Sequence, residues 1–465
     1  MKRVLVVLLV VVACSQSNTG HIDHAMNPSP GPQQLTGVIG LARFAIDVPA
    51  GWNGTLFLYS HGYVAPGSLN GAQAAPTSQS GDWLLARHYA IAGSSYSSTG
   101  WAVEDAFKDQ IALLDYFDSH VGKPSRVIAW GASLGGIITA GLVQLHPDRF
   151  AAAMSLCGVL AGGIATWNAE LDAAYAFKTL LAPGSALQLT HITDGAANLK
   201  LAQQVLQQAA GTLQGRARLA LVAALTDLPG WFDPTQPEPV ANNAASLAAQ
   251  ESWESRVDFA FAFQYRAELE QRAHGNPSWN EGVAYANQVA ASLDFEEVQA
   301  LYRQAGLSLV HDIITLDSGA HIKADPGAAA YLDRNISFDG SLSIPMLTMH
   351  TTGDGLVVPQ NETAYGDVVG RAGNTDMLRQ VFVHRAGHCA FTPAEVIAGL
   401  QVLMARLDTG RWDDAALQPS ALDAAALAQG SAENGFFGFS TPPAFVNYSP
   451  GRYPRPFVEG EPIPT

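Results

Sequence analysis

Residues 131–135 read Gly-Ala-Ser-Leu-Gly, the G-x-S-x-G spacing in which a serine can act as a nucleophile. A strand-like apolar run, residues 126–130, comes directly before this motif, and a run with helical spacing, residues 134–145, comes directly after it. A strand that turns straight into a helix holds the serine in a strained conformation, and the flanking glycines remove Cβ atoms that would clash. We therefore expect the Ser133 hydroxyl to project above a sheet, beside a helix N-terminus.

Two backbone amides near this turn could stabilise an oxyanion. The N–H of Leu134 lies in the first turn of the helix, where it has no acceptor within the helix, so it is free to donate to a developing negative charge. A second N–H should come from the loop after an earlier strand, and the turn at residues 61–63 follows the apolar run 56–60. We assign this second donor to Tyr63, with Gly62 as the nearest rival.

The elements around Ser133 alternate between strand and helix. Strand-like runs at residues 88–96 and 151–156 enclose helical spacing at residues 103–121, which indicates an α/β protein with a parallel sheet. Upstream, residues 41–49 and 54–60 carry β-type apolar runs separated by a turn cluster, and we expect them to pair with each other.

The alternation stops after this region and resumes later. Residues 160–343 are mainly helical in pattern, which predicts an insertion, and residues 344–350 and 378–384 return to strand character. Thr392 and Glu395 then have the spacing of a capping box, which predicts the start of a final helix.

Several segments together resemble the α/β-hydrolase superfamily, in which the nucleophile is followed by the acid and then by the histidine. These are the strand with its turn at residues 61–62 and the turn at residues 131–135. Residues 352–359, Thr-Gly-Asp-Gly-Leu-Val-Val-Pro, are similar to the family's acid loop, and residues 386–389, Ala-Gly-His-Cys, are similar to its histidine loop. The resemblance implies a sheet that is mostly parallel and a serine hydrolase.

The resemblance also assigns the catalytic roles. It implies a triad in which His388 takes the proton of Ser133 and Asp354 fixes the tautomer of the imidazole, so that an acyl-enzyme forms and water releases the acid. His384 is the chief competitor as the base, although its place inside a strand favours packing or surface exposure. We expect His350 and His61 to be structural.

The predicted organisation combines these segments. Its parts are a signal segment (1–14), a flexible tether (15–36), an α/β-hydrolase core (37–159 and 344–409), a helical cap (160–343) and a C-terminal extension that packs on the core (410–465). A cap over the site would select substrates and exclude water. Its candidate residues for a pocket that takes a bulky or aromatic group are Trp167, Trp231, Trp253, Phe259, Phe261, Tyr265 and Trp279, and packing within the cap is the alternative role for each.

The N-terminus predicts export. A basic start, Met-Lys-Arg, is followed by an apolar run, residues 4–12, that is too short for a membrane span. Residues 11–14 resemble a bacterial lipoprotein box, which implies a lipid on Cys14 and contact with a membrane through that anchor alone. An ordinary cleaved signal with an incidental cysteine is the alternative.

The other two cysteines, Cys157 and Cys389, would form an isolated pair. In an oxidising compartment such a pair favours a disulfide, and two unpaired buried thiols are the alternative. The position of Cys389 beside His388 is similar to tannase-like and feruloyl-esterase-like hydrolases, in which cysteines that flank the catalytic residues are bridged. Ala132 rather than a cysteine precedes Ser133, but the resemblance still implies a bridge between Cys157 and Cys389.

Composition excludes several other classes of protein. With 48% hydrophobic residues the chain is too apolar for wholesale disorder, and its net charge of −16 argues against nucleic acid as a partner. Phosphate-cradling loops are absent, and the nearest metal-like spacing, His21 to His24, lies in the tether, so no cofactor or catalytic metal is predicted.

The sequence therefore predicts an exported serine hydrolase that cleaves carboxylic esters, with bulky or aromatic esters favoured. A serine peptidase or aminopeptidase of the same fold is one alternative, because it would share the triad. A non-catalytic binding protein on the same scaffold is the other, which the complete set of Ser133, Asp354 and His388 argues against.

Overall fold

The strands of the core form one sheet. The computed structural model describes residues 32–241, 244–436, 439–458 and 460–464. The strands are β1 (Gln33–Ile39), β2 (Ala42–Val48), β3 (Thr55–Ser60), β4 (Ala90–Ser94), β5 (Arg126–Ala132), β6 (Ala152–Leu156), β7 (Met346–Gly353), β8 (Leu378–Ala386), β9 (Gly435–Phe436), β10 (Phe439–Ser440) and β11 (Phe445–Val446). The large sheet has the order β1-β2-β4-β3-β5-β6-β7-β8-β11, and β3 to β8 run parallel.

The helices lie on both faces of this sheet and in an insertion between β6 and β7. They are α1 (Ser78–Leu85), α2 (Val103–His120), α3 (Leu134–Leu145), α4 (Gly163–Leu181), α5 (Gly195–Ala210), α6 (Leu213–Ala224), α7 (Ala244–Trp253), α8 (Arg266–Ala273), α9 (Tyr285–Ala291), α10 (Phe295–Ala305), α11 (Leu309–Gly319), α12 (Pro326–Arg334), α13 (Gln360–Arg371), α14 (Pro393–Thr409) and α15 (Pro419–Leu427). On β3, Leu56 and Leu58 pack with α2 and α3, while Phe57 and Tyr59 pack with α1 and α14 on the other face. The predicted fold class, an α/β-hydrolase core, is confirmed.

Two details of the sheet differ from the sequence expectation. The strands β2 and β3 do not pair with each other, because β4 lies between them. Every residue of β3 is buried, which suits a central strand, whereas burial alternates along β2, which suits a position near the edge with one face exposed. The tether was predicted to reach residue 36, but β1 begins at Gln33, which pairs with Val48.

The helical insertion lies between β6 and β7. Helices α4 to α12 belong to it, and they enclose a hydrophobic core of their own that includes Phe177, Leu221 and Phe263. We call residues 160–343 the cap. Two segments of the cap, Glu254–Asp258 and Phe261–Tyr265, are π-helical. This conformation is rare in proteins, and where it occurs it is frequently found at a functional site.

The C-terminal extension packs on the core and also reaches the cap. Helix α15 lies against α14, and β11 adds an antiparallel strand to β8. Beyond β11, Arg455 forms an ion pair at 2.9 Å with the buried Asp172 of the cap, and the ring of Phe457 packs edge-on against Trp279. The extension therefore ties the cap to the core.

The predicted signal segment, with Cys14, lies outside the described residues, as do residues 15–31 of the tether. Within the described ranges, no helix combines the length and the apolar character that a membrane span requires.

Candidate active site

Ser133 occupies the turn between β5 and α3 in a strained conformation with a positive φ, since φ is 60° and ψ is −123°. The glycines around it are required by close backbone approach. A Cβ atom on Gly135 would lie 1.9 Å from the carbonyl oxygen of Ser60, and one on Gly131 would lie 2.3 Å from the carbonyl oxygen of Gly135. The nucleophile turn therefore folds as the sequence motif predicts.

Ser133, His388 and Asp354 form a continuous hydrogen-bonded chain. The Nε2 atom of His388 lies 2.7 Å from the Ser133 Oγ, and its Nδ1 atom lies 2.8 Å from Asp354 Oδ2. The other carboxylate oxygen of Asp354 accepts hydrogen bonds from the N–H groups of Leu356 and Val357, both at 3.0 Å. The acid loop thus fixes Asp354, and the structure brings together the three residues that the sequence predicts as a triad.

The electrostatics of the site favour an ionised Asp354. Burial by itself would raise the pKa of this carboxyl group, but the charge and the hydrogen bond of His388, together with the nearby imidazole of His350, outweigh burial and lower the pKa to about 2. The ionised Asp354 Oδ2 therefore accepts a hydrogen bond from the N–H group at His388 Nδ1. This leaves Nε2 as the acceptor for the Ser133 hydroxyl.

The turn after β3 borders the nucleophile. A Cβ atom on Gly62 would lie 3.2 Å from the Cβ of Ser133 and 3.6 Å from its Oγ. The next residue, Tyr63, stands on the same turn, and Leu134 is the first residue of α3. The chain segments that carry the two predicted oxyanion donors, Tyr63 and Leu134, thus meet at Ser133, and Gly62 lies beside the serine side chain.

A disulfide supports the histidine loop. Cys157 directly follows β6 and is bonded to Cys389, with 5.3 Å between the two Cα atoms. Because Cys389 is adjacent to His388, the bond anchors the loop that carries the imidazole to the end of a central strand. The structure contains the bridge that the sequence predicts.

The competing histidines lie elsewhere. The side chain of His384 is half exposed, and it contacts Glu238 at 3.4 Å and the ring of Trp231. His61 is buried, stacks on Tyr96 with ring centroids 4.1 Å apart, and has a pKa lowered by burial. Neither of them reaches Ser133 through a hydrogen bond.

His350 is also buried, and it belongs to a network that sequence reasoning missed. Its Nδ1 atom lies 3.0 Å from Glu362 Oε1. The other carboxylate oxygen of Glu362 accepts hydrogen bonds from Thr348 and Gln380. Glu362 belongs to α13, which the sequence patterns left unassigned, and no motif in the sequence pointed to it.

The aromatic residues proposed for the cap pocket separate into groups. Phe261 and Tyr265 contact the ring of Tyr63, with centroids 5.1 and 5.4 Å away, so they lie beside the turn that borders Ser133. Trp253 packs on Gly355 of the acid loop, and Trp231 packs on Gly353. The rest pack internally or on other segments: Phe259 on Phe177, Trp167 on Trp101, and Trp279 on Phe457.

Comparison with known proteins finds similarity to a peptidase family and to an amidase. The prolyl oligopeptidase family (Peptidase_S9) matches residues 93–175. An o-phthalyl amidase from Xanthobacter agilis is 29% identical over 427 residues, which cover 83% of this chain and 89% of that protein.

Solved structures with similar folds include two from Aspergillus oryzae. An esterase is 13% identical with a TM-score of 0.40, over 79% of this chain and 77% of the other. Feruloyl esterase B is also 13% identical with a TM-score of 0.40, over 84% and 85% of the two chains.

The segment matched by the peptidase family contains β5, the turn of Ser133 and α3, so sequence similarity falls on the part of the sheet that carries Ser133. The amidase, in contrast, is similar along most of the chain. The sheet order described above is that of an α/β-hydrolase fold, and these similarities support a hydrolase of that type.

Proposed function

We propose that this hydrolase cleaves carboxylic esters by acyl transfer through Ser133, His388 and Asp354, and that it favours bulky or aromatic acyl groups. The observation that carries this proposal is the hydrogen-bonded chain from Ser133 Oγ through His388 to Asp354 Oδ2, with contacts of 2.7 and 2.8 Å.

The reaction has two stages. The Ser133 Oγ attacks the carbonyl carbon as His388 Nε2 takes its proton, and the N–H groups of Leu134 and Tyr63 stabilise the oxyanion. Collapse of this intermediate breaks the bond to the alcohol, which leaves with the proton held by His388. Water then attacks the acyl-enzyme in the same way, and the carboxylic acid and free Ser133 are formed.

The aromatic preference is supported by the cap. Tyr63, Phe261 and Tyr265 form a cluster of aromatic rings beside the turn that borders the nucleophile, and each of them is only partly buried. Partly exposed rings offer a surface on which an aromatic acyl group can stack. A substrate seated there would have its carbonyl group close to Ser133.

Amide cleavage is a second candidate, and the relative named o-phthalyl amidase favours it. The same residues could act on both bonds, because the two reactions differ mainly in the leaving group. An amine leaving group depends more strongly on the proton that His388 donates.

The two activities are separated by matched substrates. We expect p-nitrophenyl benzoate to be hydrolysed by the wild-type protein and by Ser119→Ala, which alters an exposed serine on α2, but not by Ser133→Ala. A p-nitroanilide of benzoic acid tests the amide candidate in parallel. Anilide cleavage in excess of ester cleavage would favour the amidase, and no turnover of either substrate would contradict both proposals.

We also propose export with a lipid on Cys14. The basic start and apolar run at residues 1–12 support export, and so does the Cys157–Cys389 disulfide, because such bonds persist in oxidising compartments. Expression in bacteria with labelled palmitate should label the wild-type protein and not Cys14→Ala. Mature protein without label would contradict the lipid anchor.

A further inference from the structure

His350 is a fully buried imidazole that the reaction scheme does not use. It lies in β7, four residues before Asp354, and its side chain has no exposed surface. Its Nε2 atom lies 2.7 Å from the carbonyl oxygen of Val357 and 3.6 Å from Asp354 Oδ2, and its Nδ1 atom lies 3.0 Å from Glu362 Oε1. The ring is therefore wedged between two carboxylates, one of which belongs to the triad.

The hydrogen-bond partners fix the protons on this ring. A carbonyl oxygen can only accept, so Nε2 carries a proton that it donates to Val357. Glu362 Oε2 already accepts from the hydroxyl of Thr348 and from Gln380 Nε2, as an ionised carboxylate does. With Glu362 ionised, the remaining contact, between Oε1 and His350 Nδ1, is a hydrogen bond that a proton on Nδ1 donates, which makes the ring an imidazolium.

The charges around the ring are consistent with this state. Burial alone would lower the pKa of His350, but the hydrogen bond with Glu362 and the nearby carboxylate of Asp354 outweigh burial and raise the pKa to about 10. The other titratable groups nearby act through these carboxylates: His388 contacts Asp354 from the loop after β8, Asp258 of the cap interacts with Asp354, and Tyr365 of α13 interacts with Glu362.

We infer that His350 is a positioning residue for the proposed acyl transfer: a fixed buried cation that neutralises Glu362, anchors the acid loop through Val357 and holds Asp354 ionised toward His388. The inference rests on the proposed function for its consequence in catalysis. The positive charge of His350 then acts through Asp354 on the basicity of His388.

The charge balance predicts opposite effects from two neutral substitutions. The His350–Glu362 pair has no net charge, so His350→Gln leaves one extra negative charge near His388, whereas Glu362→Gln leaves one extra positive charge. A negative charge stabilises protonated His388, and a positive charge destabilises it. The double variant His350→Gln/Glu362→Gln restores the neutral pair.

The acidic limb of the pH profile of kcat/KM measures this effect with a p-nitrophenyl ester. We expect its midpoint to rise by about 1 pH unit in His350→Gln, to fall in Glu362→Gln and to return toward the wild-type value in the double variant. Structural damage would not produce opposite shifts that cancel. Midpoints that stay unchanged, or that all shift in one direction, would overturn the inference.

A second measurement does not depend on activity. In protein with ¹⁵N-labelled histidine at pH 8, we expect one ring, absent from spectra of His350→Gln, to have both nitrogens protonated. A neutral His350 at pH 8 overturns the inference whether or not the protein hydrolyses esters. If the imidazolium is found but no ester or amide is cleaved, the proposed function fails and the charge state stands.

Discussion

At the scale of single residues, the site depends on a turn whose glycines have no space for a Cβ atom. Ser133 is strained, with φ of 60°, and the space around it is taken by the backbone of β3 and α3. This part of the site was predictable because the motif is local: five consecutive residues and their two neighbouring elements determine the turn. Glu362 was not predictable in the same way, since it meets His350 only through the packing of α13 against β7.

The glycine at residue 135 is therefore expected to be essential for folding. Gly135→Ala would drive a Cβ atom to 1.9 Å from the backbone oxygen of Ser60, so we expect it to lower the free energy of unfolding by about 3 kcal/mol or more. Gly327→Ala is a matched control in α12, where an added Cβ meets nothing within 4 Å, and it should stabilise slightly. Urea denaturation compares the two, and equal stabilities would contradict the steric argument.

Phe261 tests the aromatic surface beside the nucleophile. Phe261→Leu keeps an apolar side chain but removes the ring that contacts Tyr63, so we expect KM for p-nitrophenyl benzoate to rise about five- to tenfold. The KM for p-nitrophenyl acetate, which has no aromatic acyl group, should change little. A similar rise of KM for both esters would contradict this prediction, because it would show that Phe261 acts on the shared leaving group or on the fold of the cap.

At the scale of elements, hydrophobic pattern predicted most strands and helices of the core but not every neighbour. The bounds of α3 are those expected from its apolar spacing, and Thr392 and Glu395 form the predicted capping box. The pairing of β2 with β3 was wrong because proximity in sequence favours a hairpin, whereas burial on both faces drew β3 into the centre of the sheet. Pattern alone does not encode strand order.

The disulfide makes the histidine loop depend on β6. Replacing both Cys157 and Cys389 by alanine should lower the free energy of unfolding by about 2 to 5 kcal/mol, because the unfolded chain is no longer constrained. We also expect a lower kcat, since His388 is adjacent to the lost link. Denaturation of the wild-type protein with and without reductant provides the comparison. A double variant with the same free energy of unfolding and the same kcat as the wild-type protein would contradict this role of the disulfide.

At the scale of the whole molecule, the net charge of −16 does not show which acidic side chains are exposed and which are buried. Composition predicted that nucleic acid is an unsuitable partner, but it could not show that acidic side chains are buried in the cap. Burial raises the pKa of Glu170 to about 7, although Arg266 partly opposes it, and burial with repulsion from Asp227 raises the pKa of Asp294 to about 8. Burial also raises the pKa of Asp258, with further repulsion from Glu170.

This distribution predicts greater stability at mildly acidic pH. A carboxyl group with a raised pKa in the folded state stabilises the fold below its unfolded pKa, near 4, and that contribution is lost as the pH rises through the folded value. We therefore expect the Tm to fall between pH 5 and pH 8. The lowered pKa of Asp354 acts in the opposite direction only below about pH 4.

Neutral substitutions in the cap should remove part of this dependence. Glu170→Gln/Asp258→Asn should raise the Tm at pH 8 more than at pH 5, whereas Asp148→Asn, which changes an exposed carboxylate outside the cap, should leave the profile unchanged. Differential scanning calorimetry across this range provides the test. A Tm that rises from pH 5 to pH 8 would show that these acids do not govern the stability of the cap.

The bond between Cys157 and Cys389 has a topological consequence. Its two ends are 232 residues apart in the chain, and the whole cap lies between them, so the oxidised protein contains a covalent ring with the cap inside it. One proteolytic cut between α6 and α7 would open this ring without releasing a fragment. The nicked molecule would migrate as a single species on a denaturing gel until a reductant separates its two halves, so the cap can be cleaved and still remain attached to the core.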